Sequence, residues 1–224
     1  MKSRYEAVLF DLDGTLTQSH PGVIRCVGRA LEKMGKPVPP PETLMKFIGP
    51  PLQLSFSKLG LTPEECRRGV DLFREEYNVR GVYENSVFDG MHDLLRDLRA
   101  AGAKIIIATS KSQEAAESVV NYFKLAPLVD FVSGAYADER PHTKADLIRK
   151  GLAPFGIPPE KAVMIGDTHF DAEGAAGAGT DFIGVLFGYG TREEMEEQGG
   201  RKFTDTYRQL RESLERVVRE RIQG

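Results

Sequence analysis

At 224 residues with a net charge of −3, and with acids and bases interspersed, the chain can bury one good-sized core, or a core plus a small accessory unit, without disulfides or structural metals. It carries neither the basic footprint of a nucleic-acid or membrane-surface protein nor an apolar run near the roughly 18 residues of a spanning helix. A small-molecule partner and a cytoplasmic location are therefore expected, and no feature of the sequence specifies an oligomeric state.

The first apolar run, Ala7–Phe10, has the length of a strand and is apolar on both faces, the pattern of a strand covered from two sides. Asp11-Leu12-Asp13-Gly14-Thr15 begins where that run ends. An acidic turn alone explains such a pentapeptide. Two carboxylates two residues apart can also point into one site at a strand's carboxyl end, with Gly14 letting the backbone bend away.

From about Leu16 to Val87 helical patterns follow one another without a strand. Val23, Ile24, Val27 and Leu31 share one face, and His20, ahead of Pro21, is expected to cap that helix. Leu52, Phe56 and Leu59 form a second face, closed by Gly60. Thr62-Pro63-Glu64-Glu65 starts a third helix with an N-cap threonine, a proline at the first helical position and a capping-box glutamate. Cys66 falls on its apolar face with Val70, Phe73 and Tyr77, so it and Cys26 read as buried thiols. Lys36–Pro41 and Gly49-Pro50-Pro51 read as loops or helix breaks, and Gly49 would equally let its loop approach a site in the core. Residues 17–87 are thus expected to be an all-helical domain inserted between 1–16 and 88–224.

Strand and helix then alternate. Met91, Leu94, Leu95, Leu98 and Ala101 make a helix face before the run Ile105–Ala108 and Thr109-Ser110. Ala115, Ala116, Val119, Val120 and Phe123 make the next face, ahead of a weaker run at Phe131-Val132-Ser133. Lys144 opens a helix containing Leu147 and Ile148, and the buried run Ala162–Ile165 leads into Gly166-Asp167-Thr168-His169-Phe170-Asp171. Phe182–Leu186 is the last run, and Leu210, Leu214, Val217 and Val218 suggest a closing helix. The alternation implies an α/β core: a doubly wound, Rossmann-like parallel sheet whose ligands sit at the carboxyl ends of the strands.

Phosphoryl transfer needs a nucleophile, a proton donor for the leaving oxygen and positive charge against the phosphate. Asp11 and Asp13 can supply the first two, and a hard cation such as Mg²⁺, which prefers oxygen ligands, can supply the third. Asp167, directly after a strand, suits the metal; Asp171 suits either the metal or the cap of the next helix. Thr109 and Ser110 can bind phosphate oxygens or cap a helix. Lys144 can act with a helix N-terminus on a phosphoryl group or stand as a surface lysine. Lys111 and Arg140 fit either a second anionic group on the substrate or solvated surface cations, the second being commoner. His169, between two site acids, reads as a bystander.

This ordered set resembles the haloacid dehalogenase superfamily, in its phosphatase branch with a helical cap inserted after the first motif, over nearly the whole chain. Phe10-Asp11-Leu12-Asp13-Gly14-Thr15-Leu16 is similar to its first motif, Thr109-Ser110 to its second, Lys144 to its third and Gly166-Asp167 through Asp171 to its fourth. The resemblance implies that Asp11 is the nucleophile and Asp13 the general acid and later base. It also implies that Asp11, the Asp13 backbone carbonyl and Asp167 hold Mg²⁺ while Thr109 and Lys144 bind the phosphoryl group. The second acid, Asp13, argues for phosphate chemistry, because dehalogenase members lack it. Phe47–Leu52, Ala108–Lys111 and Gly184–Gly190 look similar to proteins called phosphoglycolate phosphatases or 5'-nucleotidases; the Pro141-His142 step before Lys144 departs from the pattern. A sugar-phosphate mutase of the same superfamily is an alternative. A phospho-receiver module fits poorly, having no long helical insert and no counterpart of Asp167 through Asp171. A binding protein on an enzyme scaffold is disfavoured because every catalytic position is filled.

Overall fold

The computed structural model describes residues 5–136 and 143–219, the last five through the backbone alone. Six strands form one parallel sheet in the order β3-β2-β1-β4-β5-β6. They are β1 (Ala7–Phe10), β2 (Lys104–Ser112), β3 (Phe131–Ala135), β4 (Ala162–Gly166), β5 (Asp181–Val185) and β6 (Phe203–Thr204). Side chains alternate across a strand, and here both faces are buried. Val8, Phe10, Ile105, Ile107, Val163 and Ile165 join one apolar cluster, while Ala7, Leu9, Ile106, Ala108, Ala162 and Met164 join the other.

Among the described residues ten α-helices accompany that sheet: α1 (His20–Lys33), α2 (Pro41–Leu44), α3 (Leu52–Ser57), α4 (Pro63–Tyr77), α5 (Met91–Ala100), α6 (Gln113–Tyr122), α7 (Lys144–Leu152), α8 (His169–Ala178), α9 (Arg192–Glu197) and α10 (Tyr207–Arg219). α5, α6 and α10 pack on the first face through Leu94, Val119 and Leu210, and α7 and α8 on the second through Ile148 and Ala175. The result is the expected doubly wound core. β1 lies where the strand order reverses, so the loops after β1, β2 and β4 open into one crevice.

α1 to α4 form the helical insert. Its ends are held together: Thr17 and Val87 form an antiparallel bridge, the Gln18 N–H donates to the Ser86 carbonyl at 2.7 Å and the Phe88 N–H to the Leu16 carbonyl at 3.0 Å. α1 and α4 pack on each other, and Val27, Leu31, Phe56, Val70 and Phe73 belong to the same apolar cluster as the first sheet face. α4 starts as its sequence demands. The Thr62 hydroxyl accepts from the Glu65 N–H at 3.3 Å and the Glu65 carboxylate from the Thr62 N–H at 2.9 Å, a pairing worth about 1 kcal/mol. Cys26 and Cys66 are free and buried, as expected.

Four local expectations change. β2 runs on to Ser112, whose hydroxyl accepts from the Ala115 N–H, so Ser112 and not Thr109 or Ser110 caps α6. His20 is the first residue of α1 rather than its cap, which is Ser19. β6 was not foreseen, because two residues are too few to show a period. α3 is only six residues long and ends before Gly60, which still turns the chain at φ +78°. Among the described residues no helix is long and apolar enough to cross a membrane.

Candidate active site

Asp11 stands one residue past β1, its N–H donating to the Ile165 carbonyl of β4 at 2.9 Å. Lys144, the first residue of α7, reaches it from the other face: Nζ lies 2.7 Å from Asp11 Oδ1 and 2.7 Å from Asp171 Oδ1. The α7 start is fixed by Thr143 and Asp146, each side chain bonding the other's backbone N–H. Lys144 is therefore no surface lysine. Removing the ammonium, which would leave buried carboxylates uncompensated, costs about 3–5 kcal/mol, whereas exposed pairs such as Arg29–Glu32 contribute about 0–1 kcal/mol.

Asp167 follows β4 and is completely buried. Its two oxygens are both engaged, Oδ1 by the Thr15 hydroxyl at 3.0 Å and Oδ2 by the Tyr189 N–H at 2.8 Å. Gly14 is required beside it: with φ +90°, a Cβ there would sit 2.1 Å from Asp167 Oδ2. Asp171 does both things its position allowed. Its Oδ2 accepts from the Thr168 N–H at 3.0 Å and hydroxyl at 2.8 Å, fixing the start of α8, while its Oδ1 meets Lys144.

Asp11, Asp167 and Asp171 thus present carboxylate oxygens within 4.8 Å of one another, all buried. Three carboxylates face one ammonium, and the electrostatics register the shortfall. Burial pushes Asp11 up to about 6, with Lys144 opposing and Asp171 adding to the rise. Burial, then Asp171 and Asp11, hold Asp167 well above the usual carboxylate range. Burial pulls Lys144 down, but Asp11 and Asp171 more than offset it and keep the ammonium charged. An oxygen-only cluster short of positive charge fits a hard divalent cation.

Next to this cluster is a cavity of about 400 Å³ bordered by Asp11, Asp13, Thr109 and Ser110 on the core side and by Phe47–Gln53, Val70, Phe73 and Tyr77 on the insert side. Thr109 is buried and its hydroxyl accepts from the Lys111 N–H, while Ser110 is half-buried. Asp13 turns away from the acid cluster: its Oδ2 lies 3.0 Å from Lys111 Nζ. Lys111 also donates to the Tyr77 hydroxyl at 2.6 Å, and its side chain is 7% exposed, so it is not a solvated cation. Gly49 brings the insert onto the core. At φ +99° it lies so near Thr168 that a Cβ would be 3.1 Å from Thr168 Cγ2, which favours the approach reading of this loop over a plain helix break.

The structure therefore gathers Asp11, Asp13, Thr109, Ser110, Lys144, Asp167 and Asp171 in one crevice. His169 packs on Phe170 and does not border the cavity. Arg140 and the Pro141-His142 step lie outside the described residues. Sequence reasoning missed Tyr77 and Tyr189, and it named Lys111 only as a contact for a substrate anion or a solvated cation. For Lys111 a signal existed: in a strand continued past Ala108, Thr109 and Lys111 are two apart and share a face. Tyr189 joins two regions, its N–H holding Asp167 and its hydroxyl accepting from the His20 N–H at 3.2 Å.

A family model for haloacid dehalogenase-like hydrolases matches residues 8–185. A tyrosine-protein kinase PtkA of Mycobacterium tuberculosis is 35% identical over 93% of this chain and 72% of its own. A 5'-nucleotidase of Pseudomonas aeruginosa is 36% identical over 95% and 96%, and a phosphoglycolate phosphatase of Caulobacter vibrioides 32% identical over 86% and 83%. Among solved structures, a predicted phosphatase from Clostridium acetobutylicum superposes with a TM-score of 0.90 at 35% identity, over 95% of this chain and 99% of that one.

Proposed function

The chain belongs to the haloacid dehalogenase-like hydrolases and is a phosphatase, and from that premise we propose that it hydrolyses small phosphate monoesters through an aspartyl-phosphate on Asp11. The observation that carries this reading is the placement of Asp11, which borders the cavity and is bonded by the one buried ammonium that also reaches Asp171. Residues 17–87 are read as the cap domain, with 1–16 and 88–224 as the catalytic core.

In the first half-reaction a carboxylate oxygen of Asp11 attacks phosphorus, the bond from phosphorus to the leaving oxygen breaks, and Asp13 gives that oxygen a proton. In the second, Asp13 takes a proton from water; the water oxygen attacks the same phosphorus, the acyl-phosphate bond breaks, and inorganic phosphate leaves with Asp11 restored. Lys144 and Thr109, with Ser110 beside them, hold the phosphoryl oxygens. Mg²⁺ would be held by Asp11, Asp167 and the Asp13 backbone carbonyl, with Asp171 adjoining, and when bound it supplies charge that offsets the phosphate's. The room that Gly14 leaves and the Thr15 and Tyr189 donors fix Asp167 before any ligand arrives, so little is left to reorganise.

A cavity of about 400 Å³ is in the range that takes a drug-sized ligand, which favours a nucleoside monophosphate over the two-carbon phosphoglycolate. Phosphate release should be measured over nucleoside monophosphates, phosphoglycolate, sugar phosphates and pyrophosphate, with Mg²⁺ and with a chelator. Metal-dependent release from at least one monoester is the expected result; no release from any would end the hydrolase reading. Transfer to tyrosine, which the name of the PtkA relative suggests, and the mutase alternative differ from hydrolysis in what receives the phosphoryl group. A tyrosine peptide and a sugar monophosphate, added as acceptors, should leave phosphate release as the main product.

A further inference from the structure

We propose that Lys111 is a positioning residue that ties Asp13 to helix α4 of the insert through Tyr77, so that Asp13 is aligned for proton donation only while the insert rests on the core. This rests on the reading of Asp13 as the general acid. Three distant parts of the chain meet on one ammonium: Asp13 from the loop after β1, Lys111 from the end of β2, and Tyr77 from the last turn of α4. Lys111 Nζ lies 3.0 Å from Asp13 Oδ2, 2.6 Å from the Tyr77 hydroxyl oxygen and 4.4 Å from the centre of its ring. With Oδ2 taken, the other oxygen of Asp13 is the informative one. Oδ1 is buried and has no hydrogen-bond partner among the described residues. Buried polar atoms are ordinarily paired, so this oxygen is reserved for something that arrives, and in the proposed reaction that is the leaving oxygen.

Tyr77 is well suited to anchor the chain of contacts. It is 2% exposed, stacks on Phe73 at 4.8 Å with 16° between planes, and lies against Gly81, where a Cβ would sit 2.7 Å from its ring. A hydroxyl held this firmly restricts a lysine that would otherwise range over many rotamers. When α4 lifts, Tyr77 leaves with it. Lys111 then loses an acceptor and Asp13 loses its fixed orientation. Proton donation is thereby confined to the closed, water-poor arrangement.

The test compares kcat/KM on glycerol phosphate, whose leaving oxygen needs a proton, with kcat/KM on p-nitrophenyl phosphate, whose leaving group departs as an anion. Lys111→Met should lower the glycerol phosphate value by about 10- to 100-fold more than the p-nitrophenyl phosphate value, within the ~10²–10⁴ range of general acid catalysis. Tyr77→Phe keeps the ring and its stack and should shift the ratio the same way by roughly 3- to 10-fold, with the double variant no worse than Lys111→Met. A loss equal on both substrates, as a merely structural or binding role gives, overturns the proposal, as does full additivity. If Lys111→Met fails to fold, Tyr77→Phe alone decides. Asp13→Asn separates the two readings. If it discriminates between the substrates while Lys111→Met and Tyr77→Phe do not, the positioning role is wrong and the general acid stands; if it does not discriminate, both fall.

Discussion

The two ends of the cavity are built from different materials. At the phosphoryl end, Asp11, Lys144, Asp167 and Asp171 all stand on strand ends or helix starts of the core, each is buried, and each is tied by short polar contacts. At the leaving-group end, Ile48, Pro51, Leu52, Val70 and Phe73 come from the insert, and their contacts are apolar. The first end holds charges that would repel one another without a scaffold. The second offers area and shape, which bind without demanding exact angles. In the proposed reaction, chemistry that fails with small displacements is hung on the sheet, and contact with the leaving group is given to the insert.

Substitutions at the two ends should therefore fail differently. Asp11→Asn should lower turnover by about four orders of magnitude or more, read by phosphate release, while the fold persists. Because burial raises Asp11 to about 6, the folded protein at pH 7 carries a carboxylate that ionises more easily in the unfolded chain, and this variant should also melt no lower than the wild type at pH 7 without metal. A fall of several degrees would show that the Lys144–Asp11 bond outweighs the crowding of the acids. Asp13→Asn should cost roughly two to four orders of magnitude in turnover; near-normal rates would remove it from proton transfer.

Mg²⁺ should raise the melting temperature at neutral pH, by about 2.7 kcal/mol of stability at a hundredfold excess over Kd. The sign follows from the raised pKa values. In the folded protein Asp11 and Asp167 hold protons more tightly than in the unfolded chain, so their contribution favours folding at low pH and is lost as pH rises through about 6 for Asp11. Metal competes with those protons, and the gain should shrink as pH falls through that value. Calorimetry across pH 5 to 8 reads this directly, and Asp167→Asn should remove most of it. The smallest effect belongs to the roof. Gly49→Ala, strained at φ +99° and 3.1 Å from Thr168 Cγ2, should cost about 1 kcal/mol of closure, or roughly fivefold in KM, with kcat nearly unchanged. A fall in kcat with KM constant would place that loop in the chemistry.

That contrast also explains what could be read without coordinates. The phosphoryl end was legible because each of its parts is a local pattern, an apolar strand followed at once by an acid or hydroxyl, and a doubly wound sheet brings strand ends together by rule. The leaving-group end was not. Tyr77 sits at helical spacing with Phe73 and Val70 and reads as core, which it also is. Nothing near it in sequence announces that its hydroxyl meets a lysine 34 residues away. Lys111 looked like a solvated cation because its partners arrive only with tertiary structure. His20 looked like a cap because it precedes Pro21, and nothing local announces that its N–H donates to the hydroxyl of Tyr189, 169 residues distant.

Thr17 and Val87 lie opposite each other in a single bridge where the helical insert departs and returns. A segment that leaves and rejoins the core side by side imposes no register on the strands around it, so a different segment spliced between the same two neighbours would inherit an intact phosphate-handling floor. Diversification of leaving-group preference then needs only exchange of a cassette, while the machinery beneath keeps its geometry.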